Sequence, residues 1–366
     1  MEAKRIDYPF LTIVALLTLS GFIIFSSAAL GLLARDGASF SSVATNQVLF
    51  GIIGGGIAMY ILSRIEYRLI KKFSLYIYIV ALILTILTFV PGIGLELKGA
   101  HRWIQVAGFT FQPAELLKFA TVAFLASFYA THYKKAGTLT MGVLPFLLIT
   151  LLSAIPLALQ PDNDGILILI AACVSIFFAA GGRFLHLALL GTIGIICGVI
   201  IAFSHPYVME RLSTFIDPTR DPQGAGYQVN QSMLAIGSGE IFGRGFGQSI
   251  QKFSHLPEPV GDSIFAVAGE EFGFVGTFFL VLLFLGFTAT GLRIAARASD
   301  RFGGLITVGL VILIATQSFV NIASLVGLFP LSGTPLVFIS HGGTALLIAL
   351  AEAGVILSVS RRMQRT

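Results

Sequence analysis

Ten separate runs of mostly apolar residues, each close to the length of a membrane-crossing helix, leave this chain little alternative to folding in lipid. The runs are roughly Pro9–Leu33, Gln47–Leu62, Phe73–Val90, Gln112–Thr131, Met141–Leu159, Gly165–Gly181, Phe184–Ser204, Ser263–Leu292, Gly303–Phe329 and Leu336–Ser360. A span needs about 20 predominantly apolar residues. Inside a bilayer every backbone polar group must be satisfied internally, so runs of this length are read as helices. Composition agrees: of 366 residues 56% are hydrophobic and 11% charged, against roughly 25% charged in a soluble domain. The expected fold is an all-α integral membrane protein with ten transmembrane helices. Residues 1–366 form one polytopic domain, and residues 205–261 form a long extracytoplasmic loop between helices 7 and 8.

Charge placement gives the orientation. Lys4 and Arg5 precede the first run, which is longer than the roughly 7–15-residue core of a cleaved signal peptide, so it reads as an uncleaved span. Most Lys and Arg residues fall in alternate connections, among them Lys71, Lys72, Lys134, Lys135, Arg183, Arg297 and Arg361. That bias places both termini in the cytoplasm, with the loops at Pro91–Phe111 and His205–Gly261 outside. The net charge of +5 therefore reflects topology and implies no nucleic-acid partner. Cys173 and Cys197 each sit inside an apolar run without a partner motif and read as packing residues. Gly51/Gly55 and Gly194/Gly198 let helices approach closely. Within the long loop, Tyr207–Ile216 and Tyr227–Ile236 suit short helices at the membrane interface. There is no Walker sequence, GxSxG, HExxH or Rossmann glycine pattern, which disfavours ATP-driven transport and ordinary soluble hydrolysis.

The polar residues that remain are few enough to weigh singly. Asp262 stands where the long loop re-enters apolar sequence; an ionisable group there is a functional candidate, and equally a helix N-cap. Glu270 and Glu271 point about 100° apart on a helix, so at least one faces the bundle interior. Glu115 and Lys118 are spaced to meet on one helix face, as a structural pair or as part of a polar cavity. Asp162, in QPDNDG, is explained as a turn residue but lies at the level of Asp262. Ser340-His341-Gly342-Gly343-Thr344 opens the last run, where Gly342 and Gly343 permit close approach and exposed N–H groups suit an anion. Lys98, Arg102, Arg220, Arg244 and Lys252 are outer cations able to meet phosphates or simply to be solvated. Glu352 lies deep in the last run with no partner evident in the sequence.

The segments GAHRWIQ, QPAELLKFA, QPD, GYQVNQSMLAIGSGEIFGRGFGQSIQK, LPEPVGDSIFAVAGEEFGFVG and GTPLVFISHGGTALL, spread from about Gly99 to Leu347, resemble successive signatures of the SEDS family (FtsW/RodA/SpoVE), in the family's order. The wording SIQKFSHLPEP…GDSIFAV is closer to the FtsW-like than to the RodA-like branch. The resemblance implies ten membrane helices and an inverting peptidoglycan glycosyltransferase that polymerises lipid II into a growing glycan strand outside the cytoplasmic membrane. It also implies a class B penicillin-binding protein as partner. By position, Asp262 takes the place of the catalytic aspartate, and Glu115, Lys118 and Asp162 take other functional polar positions.

The implied chemistry suits the residues. An acceptor hydroxyl attacking an anomeric carbon needs a positioned base, a role open to Asp262. A leaving pyrophosphate needs cations, here outer Arg and Lys side chains, or a divalent metal such as Mg2+. The competing class is a lipid II flippase without polymerase activity, which would also carry polar residues within its spans. A third is a division scaffold.

Overall fold

The computed structural model describes residues 6–35, 37–97, 100–106, 109–186, 188–192, 194, 209, 213–217 and 225–363. Eight described helices are long and apolar enough to cross a membrane. They are α1 (Tyr8–Arg35), α2 (Phe40–Arg64), α3 (Tyr67–Leu87), α4 (Pro113–His132), α5 (Leu139–Leu159), α8 (Ile264–Ala296), α9 (Arg301–Leu325) and α10 (Gly343–Ser360). Helix α6 (Asn163–Ala179) is a shorter apolar helix of 17 residues. Most of the expected run Phe184–Ser204 lies outside the described residues, as does half of Tyr207–Ile216. The stretch Tyr227–Ile236, expected to be a short helix, falls within α7 (Ala225–Ser238).

The chain is not all-α. Residues expected to form a loop at Pro91–Phe111 include an antiparallel three-stranded sheet, with β1 (Gly94–Leu97), β2 (Ala100–Val106) and β3 (Phe109–Phe111) in that order. Ile104 pairs with Phe111 and also with Gly94, and a bulge falls between Leu95 and Glu96. Alternating side chains in HRWIQV supply the reason: Ile104 turns inward and is buried, as a half-buried strand requires.

The two ends of the bundle are built differently. At the end carrying residues 7 and 360, Asp7 N–H donates to Ser360 Oγ at 3.2 Å, and Arg293 Nη2 donates to both Asp7 carboxylate oxygens at 3.0 and 2.9 Å. Beside them Tyr67 and Arg68 donate to Asp300 Oδ2 at 2.8 and 2.9 Å, while Asp300 Oδ1 caps α9 through Gly303 N–H at 2.8 Å. The sheet lies at the opposite end with the turns at 160–162, 258–263 and 332–342.

Between these ends α9 and α10, apolar apart from a few buried polar side chains, form the interior and are mostly covered, as expected of helices that are hydrophobic nearly all round. α2 packs on α10 through the glycines expected to allow close approach. A side chain at Gly55 would meet Leu350 Cδ1 at 2.7 Å, and one at Gly354 would meet the Met59 carbonyl at 2.6 Å.

Two expected spans are cut short at the sheet end. The last run becomes helical only at Gly343, leaving Leu336–Gly342 irregular. In α8 the helix breaks at Gly273, whose φ of 65° and ψ of −164° belong to a region open essentially to glycine alone. The break frees carbonyls and N–H groups, and the loop before it takes them up. Arg244 and Gly245 N–H donate to Glu270 and Glu271 carbonyls at 3.0 Å each, while Phe274 and Val275 N–H donate to Glu240 and Ile241 carbonyls at 2.9 and 3.1 Å. Residues 263–271 are buried on every face, and exposed side chains begin at Phe274.

Candidate functional site

At the sheet end a cleft of about 570 Å³ opens between β2, the 258–262 turn, the 333–335 turn and the start of α10. Asp262 lines it, with Arg102 and Trp103 on the sheet side and His341, Gly342 and Gly343 opposite. Three consecutive carbonyls hold the turn that presents Asp262. Val260 O accepts from His341 N–H at 2.7 Å, Gly261 O from Ser340 Oγ at 2.7 Å, and Asp262 O from Asn321 Nδ2 at 2.8 Å. Asn321 Nδ2 also donates to Thr334 O at 2.8 Å, joining the two turns. The backbone of Asp262 is thereby fixed from α9 and from the 336–342 segment. Gly333 leaves space beside the carboxylate: a β-carbon there would sit 3.9 Å from Asp262 Oδ2. The N-cap position of α8 falls on Ser263, whose hydroxyl accepts from Gln228 Nε2 at 3.0 Å rather than capping the helix.

Several of the other candidates converge here and several do not. Arg102 reaches the cleft while donating to the carbonyls of Gln160 (3.0 Å) and Pro161 (2.6 Å). Gly342 N–H donates to Gln47 Oε1 at 3.1 Å, and Gln47 Nε2 donates back to Ser340 O at 3.2 Å. Gln47 lies in a π-helical stretch of α2, Asn46–Gly54, a distortion often found at functional sites. Ser340 does not face substrate space: its buried hydroxyl serves Gly261 and accepts from Leu336 N–H at 2.8 Å. Phe338, two residues earlier, is held at a φ of 68°. Burial lowers the pKa of His341 despite the nearby charge of Glu258. Asp162 caps α6, accepting from Gly165 N–H at 3.1 Å. Its neighbour Asp164 accepts from Gly333 N–H at 3.1 Å, so the turn supports the cleft wall.

Neither Lys252 nor Arg244 lines the cleft; Arg244 is exposed as expected, whereas the expectation of Lys252 as an outer cation is corrected. Lys252 is fully buried, donating to Glu271 Oε1 at 2.6 Å and to Ser27 Oγ at 2.8 Å. Arg244 Nε stands 3.6 Å from Glu270 Oε1, and Glu270 also accepts from Ser249 Oγ, Ile250 N–H and Gln251 N–H at 2.6, 3.0 and 3.2 Å. Both glutamates face inward and hold the long loop onto α8. Lys98 lies outside the described residues.

Glu115 and Lys118 form a buried pair below the cleft, Nζ to Oε1 at 2.9 Å, and Lys118 Nζ donates equally closely to Gln317 Oε1. Gln317 in turn donates to Pro335 O at 3.4 Å. Gln317 and Asn321 were missed from sequence. Their signal was two amides four residues apart, hence on one face, within an otherwise apolar run, where such groups hydrogen-bond across helices.

Comparison with known proteins agrees with this architecture. A family model described as "Cell cycle protein" (FtsW/RodA/SpoVE) matches residues 8–365. Stage V sporulation protein E of Bacillus subtilis is 37% identical over 346 residues, covering 94% of each chain. A probable peptidoglycan glycosyltransferase FtsW of a Geobacter species is 36% identical over 361 residues, 98% of this chain and 97% of that one. Among solved structures, one of a peptidoglycan synthase complex superposes with a TM-score of 0.80 at 25% identity, covering 98% of both chains. The rod shape determining protein RodA of Thermus thermophilus shares the fold, with a TM-score of 0.70 at 24% identity and 99% coverage of both chains. With a match from residue 8 to residue 365 and relatives above 30% identity along nearly the whole length, this chain belongs to the FtsW/RodA/SpoVE family.

Proposed function

We propose that the chain is a peptidoglycan glycosyltransferase of the bacterial cytoplasmic membrane, polymerising lipid II with Asp262 as general base. The observation that carries this is the placement of a carboxylate, fixed through its own backbone, at the wall of a cleft of about 570 Å³. That size is in the range of small-molecule sites. Relatives named as peptidoglycan glycosyltransferases support the reaction class.

The acceptor strand's sugar hydroxyl attacks the anomeric carbon of the lipid-linked donor and gives its proton to Asp262. The bond from that carbon to the lipid pyrophosphate breaks, the pyrophosphate leaving with the bonding electrons, and the α-linked donor becomes a β-linked product. Arg102 and the first-turn N–H groups at Gly343 and Thr344 supply positive potential for the leaving group. Among the described residues no three His, Cys, Asp or Glu side chains form a metal cage. Mg2+ needs no such cage when it arrives with phosphates, and Glu258 and Asp262 are the cleft carboxylates that could meet it.

The cleft would face outward and both termini inward. Residues 179–180 lie beside Ser299 and Asp300 at the end remote from the cleft. This supports the ten-helix plan. A class B penicillin-binding protein is the proposed partner, a reading favoured by the similarity to a peptidoglycan synthase complex.

Asp262→Asn tests the assignment, because it keeps size while removing the basic oxygen. With labelled lipid II and the partner present, glycan polymerisation is expected to fall by roughly 10²-fold or more, with an unchanged melting temperature. A folded variant that still makes long strands overturns the general base. Translocation of lipid II by a wild-type protein that polymerises nothing would favour the flippase instead.

A further inference from the structure

Beneath the cleft, between α4, α9 and α10, the bundle encloses a second cavity of about 20 Å³. One water needs roughly 10–15 Å³, so there is room for a single molecule. The polar side chains around it are Glu115, Gln317, Ser340 and Glu352, and the stretch Pro335–Phe338 separates it from the cleft. Glu352 is 3% exposed, and among the described residues no hydrogen bond reaches its carboxyl. The remaining groups are committed: Lys118 to Glu115 and Gln317, Gln317 to Pro335, and Ser340 to Gly261.

Charge decides what can fill the gap. Glu115 and Lys118 already balance one another. An ionised Glu352 would add an unpaired negative charge to the membrane interior, the costliest state available. Asp162, whose charge also reaches Lys118, is negative and brings no relief. A bound alkali cation would face the Lys118 ammonium and oxygens already engaged elsewhere, whereas a proton needs no ligand shell. We propose that Glu352 is a proton-binding site: in the folded protein its carboxyl carries a proton and donates it, through one enclosed water, to Glu115 Oε2. With Glu352 neutral, Lys118 stays on Gln317 and Gln317 on Pro335, so the proton also steadies the floor of the cleft. An ionised Glu352 would draw Lys118 off Gln317 and loosen that floor. This site stands independently of the reaction proposed above.

Infrared difference spectra of the full chain in lipid vesicles at neutral pH, wild type against Glu352→Gln, test it. The expected result is the carbonyl stretch of an un-ionised carboxylic acid in the wild type, shifted in D2O and lost in the variant. It should be unchanged when sodium and potassium are replaced by a large organic cation. A carboxylate band in its place, or an acid band that appears only when alkali cations are withdrawn, overturns the proposal. Thermal unfolding gives a second readout. Glu352→Gln resembles the protonated side chain and should melt like the wild type, while Glu115→Gln strands Lys118 and melts lower. If Glu352→Gln fails to fold, or melts as low as Glu115→Gln, Glu352 is ionised and the proposal fails.

Discussion

Lys252 has its ammonium fully buried against Glu271 and Ser27, so its worth lies in what its loss would leave behind. Removing one partner of a buried pair strands the other charge, typically at about 3–5 kcal/mol, whereas replacing both is often close to neutral. Lys252→Met is therefore expected to lower stability by about that amount, and Lys252→Met with Glu271→Gln to recover most of it. Denaturant unfolding of the purified protein in detergent checks both. A double variant no more stable than the single one would show that the pair does not act as a unit. The sequence could not separate this lysine from a solvated loop charge, because its partner Ser27 is more than two hundred residues away in the chain. Asp262 was legible for the opposite reason: its position at the edge of an apolar run is a local fact. Gln317 and Asn321 hold the cleft through contacts that only folding creates.

Helix α8 is two elements that meet at Gly273. A β-carbon there would run into the Gly243 backbone nitrogen and stand 2.6 Å from the Ile241 carbonyl, in a conformation that already costs other residues about 1–3 kcal/mol. Gly273→Ala is expected to lower the melting temperature and to reduce polymerisation through displacement of the loop. Normal melting with normal activity would mean that the break is dispensable. Long apolar runs made the spans legible, whereas this break was not, since GEEFGFVG reads as ordinary helix with tolerated glycines. The sheet was missed although HRWIQVAGFTF carries a hairpin signal, alternating and aromatic residues around Ala-Gly. Lying between two runs of membrane-span length, the stretch reads as a loop.

Taken whole, the bundle is clamped at the end where Asp7, Arg293 and Ser360 meet and open at the other. Phe242, which is 81% exposed beside the loop, and Lys134 between α4 and α5 mark opposite ends. With single cysteines in their places, an impermeant thiol reagent should label 242 and not 134 in intact cells; the reverse pattern would invert the orientation. The broken helix bears on how such a molecule is assembled. At 1.5 Å per residue, Phe274–Ala296 alone reaches about 35 Å, enough to cross a hydrocarbon core of about 30 Å without help. Residues 263–271, with two carboxylates, are covered on all sides by protein and would be poorly suited to lipid. Insertion of this segment and construction of the cleft are thus separable, because the turn bearing Asp262 is held by Asn321, Ser340 and His341, all later in the chain than the segment itself. A chain halted between the two would sit correctly in the bilayer, with its full complement of crossings, and have nowhere to bind a sugar.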